Sequence, residues 1–346
     1  MENGETEAKT IQQGEMLANR LRKRARHLRK WAGRNGIGAF RLYDRDIPEV
    51  PLVLDLYGDL VSGALYKRPY EKDPAEEERW LAAMREAAAA ALNLPAENIL
   101  IKLRKRQGGE KAQYSRLSGR ALVRQVSEGP LFFAVNLSDY LDTGLFLDRR
   151  ALRRLVGGES AGRRVLNLFC YTGSFSVHAA AGSAFRTDSV DLSNTYLARA
   201  RDNLALNGFA ARTLDPEAGI AEAEKPGHAL IRGDVGEFLQ RAISAGLDWD
   251  LIVVDPPAFS NSAMADDFDL RKDFPKLLSA CRSVLAPGGK IFFSASARSF
   301  RYGADELESA LRDRFPGTAV ADIGESLVDE DFKGRKMPRT YLIARA

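Results

Sequence analysis

Three aspartates in the C-terminal half of the chain each end, or closely follow, an apolar segment: Asp191, Asp234 and Asp255. A further apolar segment, 165–168, leads into Phe-Cys-Tyr-Thr-Gly173 and then into a helical pattern. Parallel strands of a doubly wound sheet present ligand-binding groups at their carboxyl ends. We therefore predict that the three carboxylates and the turn at Gly173 lie along one edge of such a sheet and bind one ligand.

The turn at Gly173 also limits which ligand this edge accepts. A dinucleotide site uses G-x-G-x-x-G, because a pyrophosphate needs close backbone approach at several points. Here one glycine serves the turn, and no second phosphate-cradling glycine follows it. A nucleoside without a pyrophosphate fits better, and this favours S-adenosylmethionine as the cofactor.

Each group on this edge has a predicted role toward that donor. Gly173 lets the backbone pass close to the ligand. Asp191 follows eighteen residues later, where an acid meets ribose hydroxyls in this class of fold. Asp234 is predicted to accept from the adenine amino group, while Val235 donates its backbone N–H. Any single acid here is equally typical of a helix N-cap or a surface charge, and only the ordered set favours a donor site.

The segment Asp255-Pro256-Pro257-Ala-Phe259 is the predicted catalytic element. Proline presets φ and removes a backbone donor, so this turn is rigid after its strand and is expected to face the methyl donor. Asp255 is therefore predicted both to contact the donor and, with the prolines, to position the acceptor. Phe259 is predicted to stack on a base that has been flipped out of its helix.

The two cysteines, Cys170 and Cys281, form neither a metal-ligand spacing nor a disulfide framework. We interpret both as packing residues, and we predict no metal site. Methyl transfer to a pyrimidine C5 needs a thiolate that adds to the ring. The segment Ser294-Ala-Ser-Ala-Arg298 after the fifth predicted strand offers no cysteine for that step.

Alternation of apolar and helical segments predicts an α/β fold in which a Rossmann-like, mostly parallel seven-stranded sheet follows a small α+β domain. We expect a disordered tail over 1–14, a basic helix with the small domain over 15–137, and the sheet domain over 138–346. The segment 212–228 is irregular and receives no assignment. Predicted strands of the sheet are 164–169, 187–191, 228–232, 250–255, 290–294, 319–324 and 340–345.

A basic amphipathic helix is predicted over 17–34, which holds eight Lys or Arg and no acid. Three interpretations compete: a helix packed by its apolar stripe, a membrane-surface helix, or a helix that binds nucleic-acid phosphates. A second basic segment, 102–106, supports the third. The predicted RNA-binding residues are Arg20, Arg22, Lys23, Arg24, Arg26, Lys102, Arg104, Lys105 and Arg106.

Composition sets the outer bounds. The 346 residues suit two domains, and the net charge of +4 is modest, so its placement matters more than its size. No apolar run reaches the length of a membrane span, and the acidic start of the chain is not typical of a signal peptide. We therefore expect a cytoplasmic protein without a membrane partner, and we leave its oligomeric state open.

Three long motifs carry a resemblance to a known family. They are Asn136-Leu-Ser-Asp-Tyr-Leu-Asp-Thr-Gly-Leu-Phe-Leu-Asp-Arg149, Leu166-Asn-Leu-Phe-Cys-Tyr-Thr-Gly-Ser-Phe-Ser-Val-His178 and Asp255-Pro-Pro-Ala-Phe-Ser-Asn-Ser262. Together they resemble the RlmK branch of the large-subunit rRNA methyltransferases. Upstream segments extend the resemblance from about residue 15 onward, and they are Ala18–Lys23, Phe40–Glu49 and Lys102–Gln107.

The resemblance implies a class I S-adenosylmethionine-dependent enzyme that methylates guanine N7 in helix seventy-four of 23S rRNA, either free or in a large-subunit assembly intermediate. It implies a stand-alone relative of the C-terminal half of the fused RlmKL enzymes. The cofactor-binding residues predicted from the motifs together are Phe146, Asp148, Arg149, Asn167, Phe169, Tyr171, Thr172, Gly173, Ser174, Phe175, Asp191, Leu192, Ser193, Asp234, Val235 and Asp255.

Three alternatives stay open at this point. The enzyme could methylate an exocyclic base nitrogen, because Asp255-Pro-Pro-Ala-Phe259 is related to the N-P-P-Y-type motifs that serve that reaction. It could also act at cytosine C5, as the related RlmI branch does. From a different class, a non-catalytic rRNA-binding assembly factor would keep the donor pocket without turnover.

Overall fold

The computed structural model describes residues 2–66, 73–103, 122–140, 142–262, 265–295, 300–312 and 314–345. The chain divides into two compact units. Unit 1 comprises Met1–Thr143 together with Glu330–Phe332, and unit 2 comprises Gly144–Asp329 together with Lys333–Ala346. The division falls six residues beyond the predicted boundary. Thr143 belongs to unit 1 because its carbonyl accepts from the Asn136 N–H at 2.8 Å and its hydroxyl lies 3.0 Å from the Tyr57 hydroxyl.

In the described part of unit 1, two helices pack on a four-stranded sheet of order β1-β2-β3-β4, beside a separate β5-β6 hairpin. The first three strands are antiparallel, and the last pair is parallel. Strands β2 and β3 form a hairpin that turns at Gly58, because glycine adopts the positive φ that this turn requires. The elements are α1 (Glu2–Asn35), β1 (Ala39–Asp44), β2 (Leu52–Tyr57), β3 (Leu60–Leu65), α2 (Pro74–Leu92), β4 (Ile99–Leu103), β5 (Val123–Glu128) and β6 (Leu131–Asn136).

Helix α1 buries a stripe of small and apolar side chains at helical spacing, from Leu17 to Ala32. The helix begins at Glu2, so residues 2–14 are helical in the structure and not the disordered tail expected from their polar composition. The physical reason is a contact with α2: Gln13 accepts a hydrogen bond from the Trp80 indole at 2.6 Å. Once the apolar stripe has nucleated the helix, each further residue adds one hydrogen bond at little cost.

Helix α2 has the boundaries that its sequence predicts. Pro74 occupies the first helical turn, and the Asp73 side chain accepts from the N–H groups of Ala75 and Glu76. The helix ends where Asn93 adopts a left-handed conformation. Trp80 and Met84 are among the side chains that this helix buries toward α1 and the sheet.

Unit 2 contains an eight-stranded sheet of order β15-β16-β14-β11-β7-β8-β10-β9, which confirms the predicted α/β fold class. The strands from β14 to β9 run parallel, and β16 pairs antiparallel with both β14 and β15. A 3₁₀ turn (Leu147–Arg149) leads into the first helix of this unit. The helices are α3 (Arg150–Gly158), α4 (Ser174–Ala181), α5 (Asn194–Leu206), α6 (Pro216–Glu222), α7 (Val235–Ser244), α8 (Leu270–Ser283) and α9 (Ala304–Arg312). The strands are β7 (Arg164–Leu168), β8 (Arg186–Asp191), β9 (Ala211–Leu214), β10 (Gly227–Arg232), β11 (Trp249–Val254), β12 (Phe259–Ser262), β13 (Ala265–Asp269), β14 (Leu285–Ala295), β15 (Thr318–Asp322) and β16 (Arg339–Arg345).

The sheet has one strand more than the predicted seven. The unassigned segment 212–228 supplies it, since the short edge strand β9 and helix α6 both form there. Strand β9 leaves two of its four side chains exposed, and an edge strand of this kind lacks the apolar signal of a buried one. No helix within the described part of the chain is long and apolar enough to cross a membrane.

Candidate functional site

Four parallel strands of unit 2 place the predicted motifs side by side. Strands β11, β7, β8 and β10 are neighbours, with Leu168 of β7 paired to Val254 of β11 on one side and to Val190 of β8 on the other. Their carboxyl ends therefore meet at one edge of the sheet. The strand order reverses between β7 and β11, and ligands of open α/β folds bind at such a switch point.

The segment Phe169–Gly173, called the donor loop below, follows β7 in a strained conformation. Phe169 and Tyr171 have φ values of 55° and 51°, and Gly173 has a φ of 71°. Non-glycine residues in this region store strain that clusters at ligand sites. A Cβ at position 173 would lie 2.7 Å from the Cβ of Ala200. The tight turn predicted at Gly173 is thus present, and only glycine fits it.

Asp191 ends β8 next to the donor loop. One of its carboxylate oxygens accepts from the Tyr171 N–H and the other from the Ser193 N–H, both at 2.9 Å. Burial raises the pKa of Asp191 to about 6, although those two backbone hydrogen bonds act in the opposite direction. Each oxygen keeps a further lone pair, so the carboxylate remains able to accept from a ligand.

Aromatic side chains line the same region. The Phe146 ring is 42% exposed, and its centroid lies 5.2 Å from that of Tyr171. Tyr171 in turn packs edge-on against Tyr196 at 4.5 Å. Planar apolar surfaces of this kind suit the faces of an adenine or of another base. The motifs contain Phe146 and Tyr171. Sequence reasoning missed Tyr196, because it lies on α5 outside the motifs and nothing in the sequence marks it as part of the site.

Two of the predicted donor residues support the donor loop with buried side chains. Asn167 is 1% exposed, and its amide donates to Ser176 at 2.9 Å. Thr172 is equally buried and donates its hydroxyl to the Gly144 carbonyl at 2.6 Å, while its own carbonyl accepts from Asn203 at 2.9 Å. These buried side chains hold the donor loop in place through hydrogen bonds. Sequence reasoning missed Asn203, since a polar residue inside a helix gives no signal of a buried partner.

The other predicted residues of this loop and its helix differ in exposure. Ser174 begins α4 and is half-buried, Phe175 is 6% exposed, and Phe169 is half-buried with its ring 5.5 Å from that of Phe268. Because the first N–H groups of a helix lack partners within it, the start of α4 presents donors beside the turn at Gly173.

Asp234 lies where a helix N-cap is expected. It follows β10, and its Oδ1 accepts from the Glu237 N–H at 3.0 Å, so the side chain caps α7. Val235, the first residue of that helix, has a buried side chain, and any contact with a donor is left to its backbone. Leu192 and Ser193 are half-buried after β8, and Ser193 caps α5 by accepting from the Tyr196 N–H at 3.3 Å.

Asp255 is bound by an arginine. The Nε and Nη2 atoms of Arg149 donate to the two oxygens of Asp255, each at 3.0 Å, and Nη1 donates to Asp148 at 3.2 Å. Arg149 is 5% exposed. Burial disfavours its charged form, but the carboxylates of Asp255 and Asp148 outweigh that effect and raise the pKa of Arg149. Arg149 therefore fixes the side chain of Asp255 in the turn after β11.

The rest of that turn leads into a hairpin. Pro256 is buried, Pro257 is half-buried, and Phe259 is half-buried at the start of β12. Phe259 pairs with Asp269 of β13, and the Leu270 N–H donates to the Ala258 carbonyl at 3.2 Å. The predicted base-stacking residue Phe259 thus lies at the start of the β12–β13 hairpin, and α8 follows that hairpin directly.

Both thiols of the chain are buried. Cys170 is 4% exposed, and burial together with the nearby Asp191 carboxylate raises its pKa well above the ordinary value. Cys281 is fully buried on α8, and burial also raises its pKa. Neither sulfur is poised to form a thiolate, as a nucleophile would require. No cluster of His, Cys, Asp or Glu within the described residues is arranged to hold a metal ion.

The predicted RNA-binding residues of helix α1 divide into two groups. Arg22, Lys23 and Arg26 are exposed on α1, and we call them the α1 cation face. Arg20 lies 2.5 Å from Asp46, and Arg24 donates to the carbonyls of Leu42 and Asp331. These two arginines therefore contribute to packing within unit 1, as the first interpretation of the basic helix holds.

Lys102 also points inward. Its ammonium donates to the Tyr140 carbonyl, and burial lowers its pKa to about 8 against the opposing charges of Asp142 and Asp139. The expectation that Lys102 belongs to an exposed phosphate-binding segment does not match this environment. The predicted residues Arg104, Lys105 and Arg106 lie outside the described residues, as do residues 296–298 after the fifth predicted strand.

Comparisons with known proteins bear on this site. A family model described as S-adenosylmethionine-dependent methyltransferase matches residues 46–313. Ribosomal RNA large subunit methyltransferase K of Neisseria meningitidis is 43% identical over 328 residues, covering 94% of this chain and 86% of that protein. Ribosomal RNA large subunit methyltransferase K/L of Stutzerimonas stutzeri is also 43% identical, covering 97% of this chain but only 42% of its own length. The chain therefore spans less than half of the K/L relatives.

Solved structures share the fold. SMU.776, solved in complex with SAH, superposes with a TM-score of 0.70 at 23% identity, covering 96% of this chain and 81% of its own. A SAM-dependent methyltransferase from Agrobacterium tumefaciens gives a TM-score of 0.56 at 21% identity, covering 85% of this chain and 87% of its own. At these identities the likeness shows the architecture alone.

Proposed function

The chain belongs to the S-adenosylmethionine-dependent methyltransferases, within the group of ribosomal RNA large subunit methyltransferase K, and from this premise we propose that it methylates N7 of a guanine in large-subunit (23S) rRNA. The observation that carries the proposal is that neither thiol of the chain is reactive and that the Asp255 carboxylate is held in a fixed pair. Both thiols are buried with raised pKa values, and Asp255 is held by Arg149. Such a site is built to align reactants, and guanine N7 needs only alignment.

The chemistry of the acceptor explains why. When bound, S-adenosylmethionine supplies a methyl group on a positively charged sulfur, which is already a strong electrophile. Guanine N7 carries a free lone pair at neutral pH. No general base and no covalent nucleophile are then required, and the work left to the protein is to orient the acceptor and to exclude water.

The residues of unit 2 fit the donor. Gly173 leaves room where a side chain would collide, and Asp191 directs a carboxylate toward the ligand from the neighbouring strand. Phe146 and Tyr171 offer ring faces beside them. In this proposal Asp191 accepts from the ribose hydroxyls. The backbone N–H of Val235 meets the adenine, while the outer oxygen of Asp234 accepts from its amino group.

The turn after β11 holds the acceptor. Pro256 and Pro257 fix the backbone, and Arg149 fixes the Asp255 side chain. Phe259 stacks on the target guanine once that base has left its helix. Guanine N7 lies in the deep, narrow major groove of RNA, which side chains cannot enter, so the base must be extruded or the helix opened.

The α1 cation face is proposed to hold the opened RNA. Arg22, Lys23 and Arg26 are exposed on one helix, and cations spaced in this way bind phosphates with release of counterions. The partner is 23S rRNA or an assembly intermediate of the large subunit, and a cytoplasmic location follows from that partner. Arg104, Lys105 and Arg106 remain proposed RNA contacts on sequence grounds alone.

A second candidate is methylation of an exocyclic base amine, favoured by the sequence Asp255-Pro-Pro-Ala-Phe259. That reaction uses the side-chain oxygen of the first residue to accept from the amine. Here both oxygens of Asp255 accept from the guanidinium of Arg149, and its positive charge offsets that of the carboxylate, which weakens the oxygens as acceptors for a neutral amine. Cytosine C5 methylation is disfavoured more strongly, because both thiols are buried.

Product analysis separates these reactions. The protein is incubated with protein-free 23S rRNA, and in parallel with large-subunit particles, in the presence of methyl-labelled S-adenosylmethionine. Digestion to nucleosides should place the label in 7-methylguanosine. Label in an N-methylated exocyclic amine would establish the second candidate. Label in 5-methylcytidine would show that a thiol acts after all. Donor binding without any labelled product on either substrate would favour the non-catalytic assembly factor.

A further inference from the structure

The segment Gly144–Arg149 contacts both walls of the candidate site in unit 2. It precedes α3 and is not a strand of the sheet. At its first residue, the Gly144 carbonyl accepts from the Thr172 hydroxyl of the donor loop at 2.6 Å. At its last residue, Arg149 binds the two oxygens of Asp255.

A third contact lies between these ends. The Phe146 ring packs on Tyr171 of the donor loop, and the Phe146 carbonyl accepts from Arg153 of α3 at 2.9 Å. Leu145 and Leu147, which flank this residue, are 5% and 4% exposed. The segment is therefore anchored by buried side chains as well as by polar contacts at both of its ends.

These contacts join two loops that leave neighbouring strands. The donor loop follows β7, and the turn at Asp255 follows β11, its parallel partner. Two such loops are held together at their bases by the sheet but can move apart at their tips. We propose that Gly144–Arg149 is an alignment bracket, in which Arg149 is a positioning residue that fixes the Asp255 turn at a set distance from the donor loop.

The proposal rests on the proposed function only in that alignment of methyl group and base sets the rate. A bidentate guanidinium–carboxylate pair defines orientation as well as distance, which a lysine cannot do. Asp148 completes the arrangement, since it holds the third nitrogen of Arg149 at 3.2 Å. Loss of the bidentate Arg149–Asp255 pair should leave the donor loop and the Asp255 turn folded. Only the distance and orientation between these two loops should become less fixed.

The test measures chemistry and donor binding separately in Arg149→Lys. With saturating RNA and donor, we expect the single-turnover rate to fall on the order of a hundredfold, since a misplacement of about 1 Å costs that much in a reaction that depends on alignment. The Kd for S-adenosylhomocysteine and the KM for RNA should stay within about threefold, because the bracket sets geometry and not affinity. Titration with S-adenosylhomocysteine also gives the active fraction by which each rate is corrected.

Arg154→Lys is the matched control. Five residues farther along the chain, Arg154 makes a bidentate pair with Asp329 at 3.1 and 2.6 Å, and this pair involves neither the donor loop nor the Asp255 turn. The same substitution there should change the rate less than threefold. The exchange Asp255→Asn should slow the reaction about as much as Arg149→Lys, and the double variant should be no slower than either single one, because both changes break one contact.

Arg149 is buried, so a milder variant guards against misfolding. Asp148 is 30% exposed, and Asp148→Asn should lower the rate about fivefold through loss of one charge-assisted contact with Arg149. The bracket is overturned if folded Arg149→Lys turns over at the wild-type rate, or if the effects of Arg149→Lys and Asp255→Asn multiply. A product other than 7-methylguanosine combined with a non-additive cycle would overturn the proposed function and leave the bracket standing. Formation of 7-methylguanosine combined with an additive cycle would overturn the bracket and leave the proposed function standing.

Discussion

The carboxylate of Asp191 should make donor binding depend on pH. Burial at the end of β8 raises the pKa of Asp191 to about 6, although hydrogen bonds from Ser193 and Tyr171 oppose the shift. The ionised carboxylate is the stronger acceptor for ribose hydroxyls, because charge-assisted hydrogen bonds are roughly twice as strong as neutral ones. We therefore expect donor affinity to fall as the pH drops through about 6.

The size of the effect follows from that pKa. If only the ionised form binds, the Kd for S-adenosylhomocysteine rises about elevenfold between pH 7.5 and pH 5. The exchange Asp191→Asn keeps the shape but not the titration. It should weaken binding by about 2 kcal/mol at pH 7.5, through loss of charge-assisted contacts to two hydroxyls, and its Kd should then be flat with pH. Calorimetric titration at several pH values measures both quantities.

The same shift has a consequence for stability, with a defined sign. Between about pH 4 and pH 6 the folded protein binds the Asp191 proton more tightly than the unfolded chain does, so the free energy of unfolding decreases as the pH rises through this window. Above it the loss is complete and amounts to about 3 kcal/mol, from roughly two pKa units at about 1.4 kcal/mol each. Urea unfolding of the wild type at several pH values should therefore show a free energy of unfolding that falls between about pH 4 and pH 6, and the Asp191→Asn variant should lack this fall.

Asp215→Asn is the control for both measurements. Asp215 also follows a strand of the sheet, β9, and caps a helix by accepting from the Ala218 N–H at 2.7 Å, but it is exposed and lies outside the proposed donor site. Its exchange should leave the Kd and its pH profile unchanged. A wild-type Kd that is constant from pH 7.5 to pH 5, or an Asp191→Asn variant with undiminished affinity, would refute the role assigned to this carboxylate.

Three further outcomes are expected. Serine in place of either buried cysteine should keep single turnover within about tenfold, and a covalent RNA–protein adduct on a gel would show instead that a thiol attacks the base. Reversing the α1 cation face to glutamate should reduce the slope of log affinity against log salt by up to about 2, with donor binding intact, whereas an unchanged slope would assign α1 to packing alone. Gly173→Ala should cost more than about 1 kcal/mol of stability and weaken the donor, because its φ of 71° is left-handed and its Cβ would meet Ala200 at 2.7 Å. Wild-type affinity in that variant, measured by calorimetry, would contradict the close approach at the turn.

Periodicity and punctuation predicted most of the fold. Alternation around Gly58 agrees with the hairpin of β2 and β3, and Pro74 with the alanine-rich segment after it agrees with helix α2. The central strands carry continuous apolar runs. Strand β9 was not predicted, because an edge strand needs no such apolar run. The helix over residues 2–14 was not predicted, because it depends on a contact with α2.

The sequence predicted which loops form the candidate site, but not which of its side chains bind one another. The order of motifs along the chain indicated which loops meet, since parallel strands align their carboxyl ends. Charge alone could not show that Arg24 and Lys102 turn inward, or that Arg149 pairs with Asp255. Those facts depend on which side chains the tertiary fold places within hydrogen-bonding distance, and no local pattern encodes them.

The most direct test of the central claim is the methylation state of one class of nucleotide in the cell. Large-subunit rRNA from a strain lacking this protein is compared with rRNA from the parent strain by borohydride reduction and aniline cleavage, which cut at N7-methylguanine. We expect one cleavage site to be lost, and to return when the wild-type chain is supplied but not the Asp255→Asn variant. Cleavage at every parental site in the deletion strain would contradict the assignment of this protein as the guanine-N7 methyltransferase.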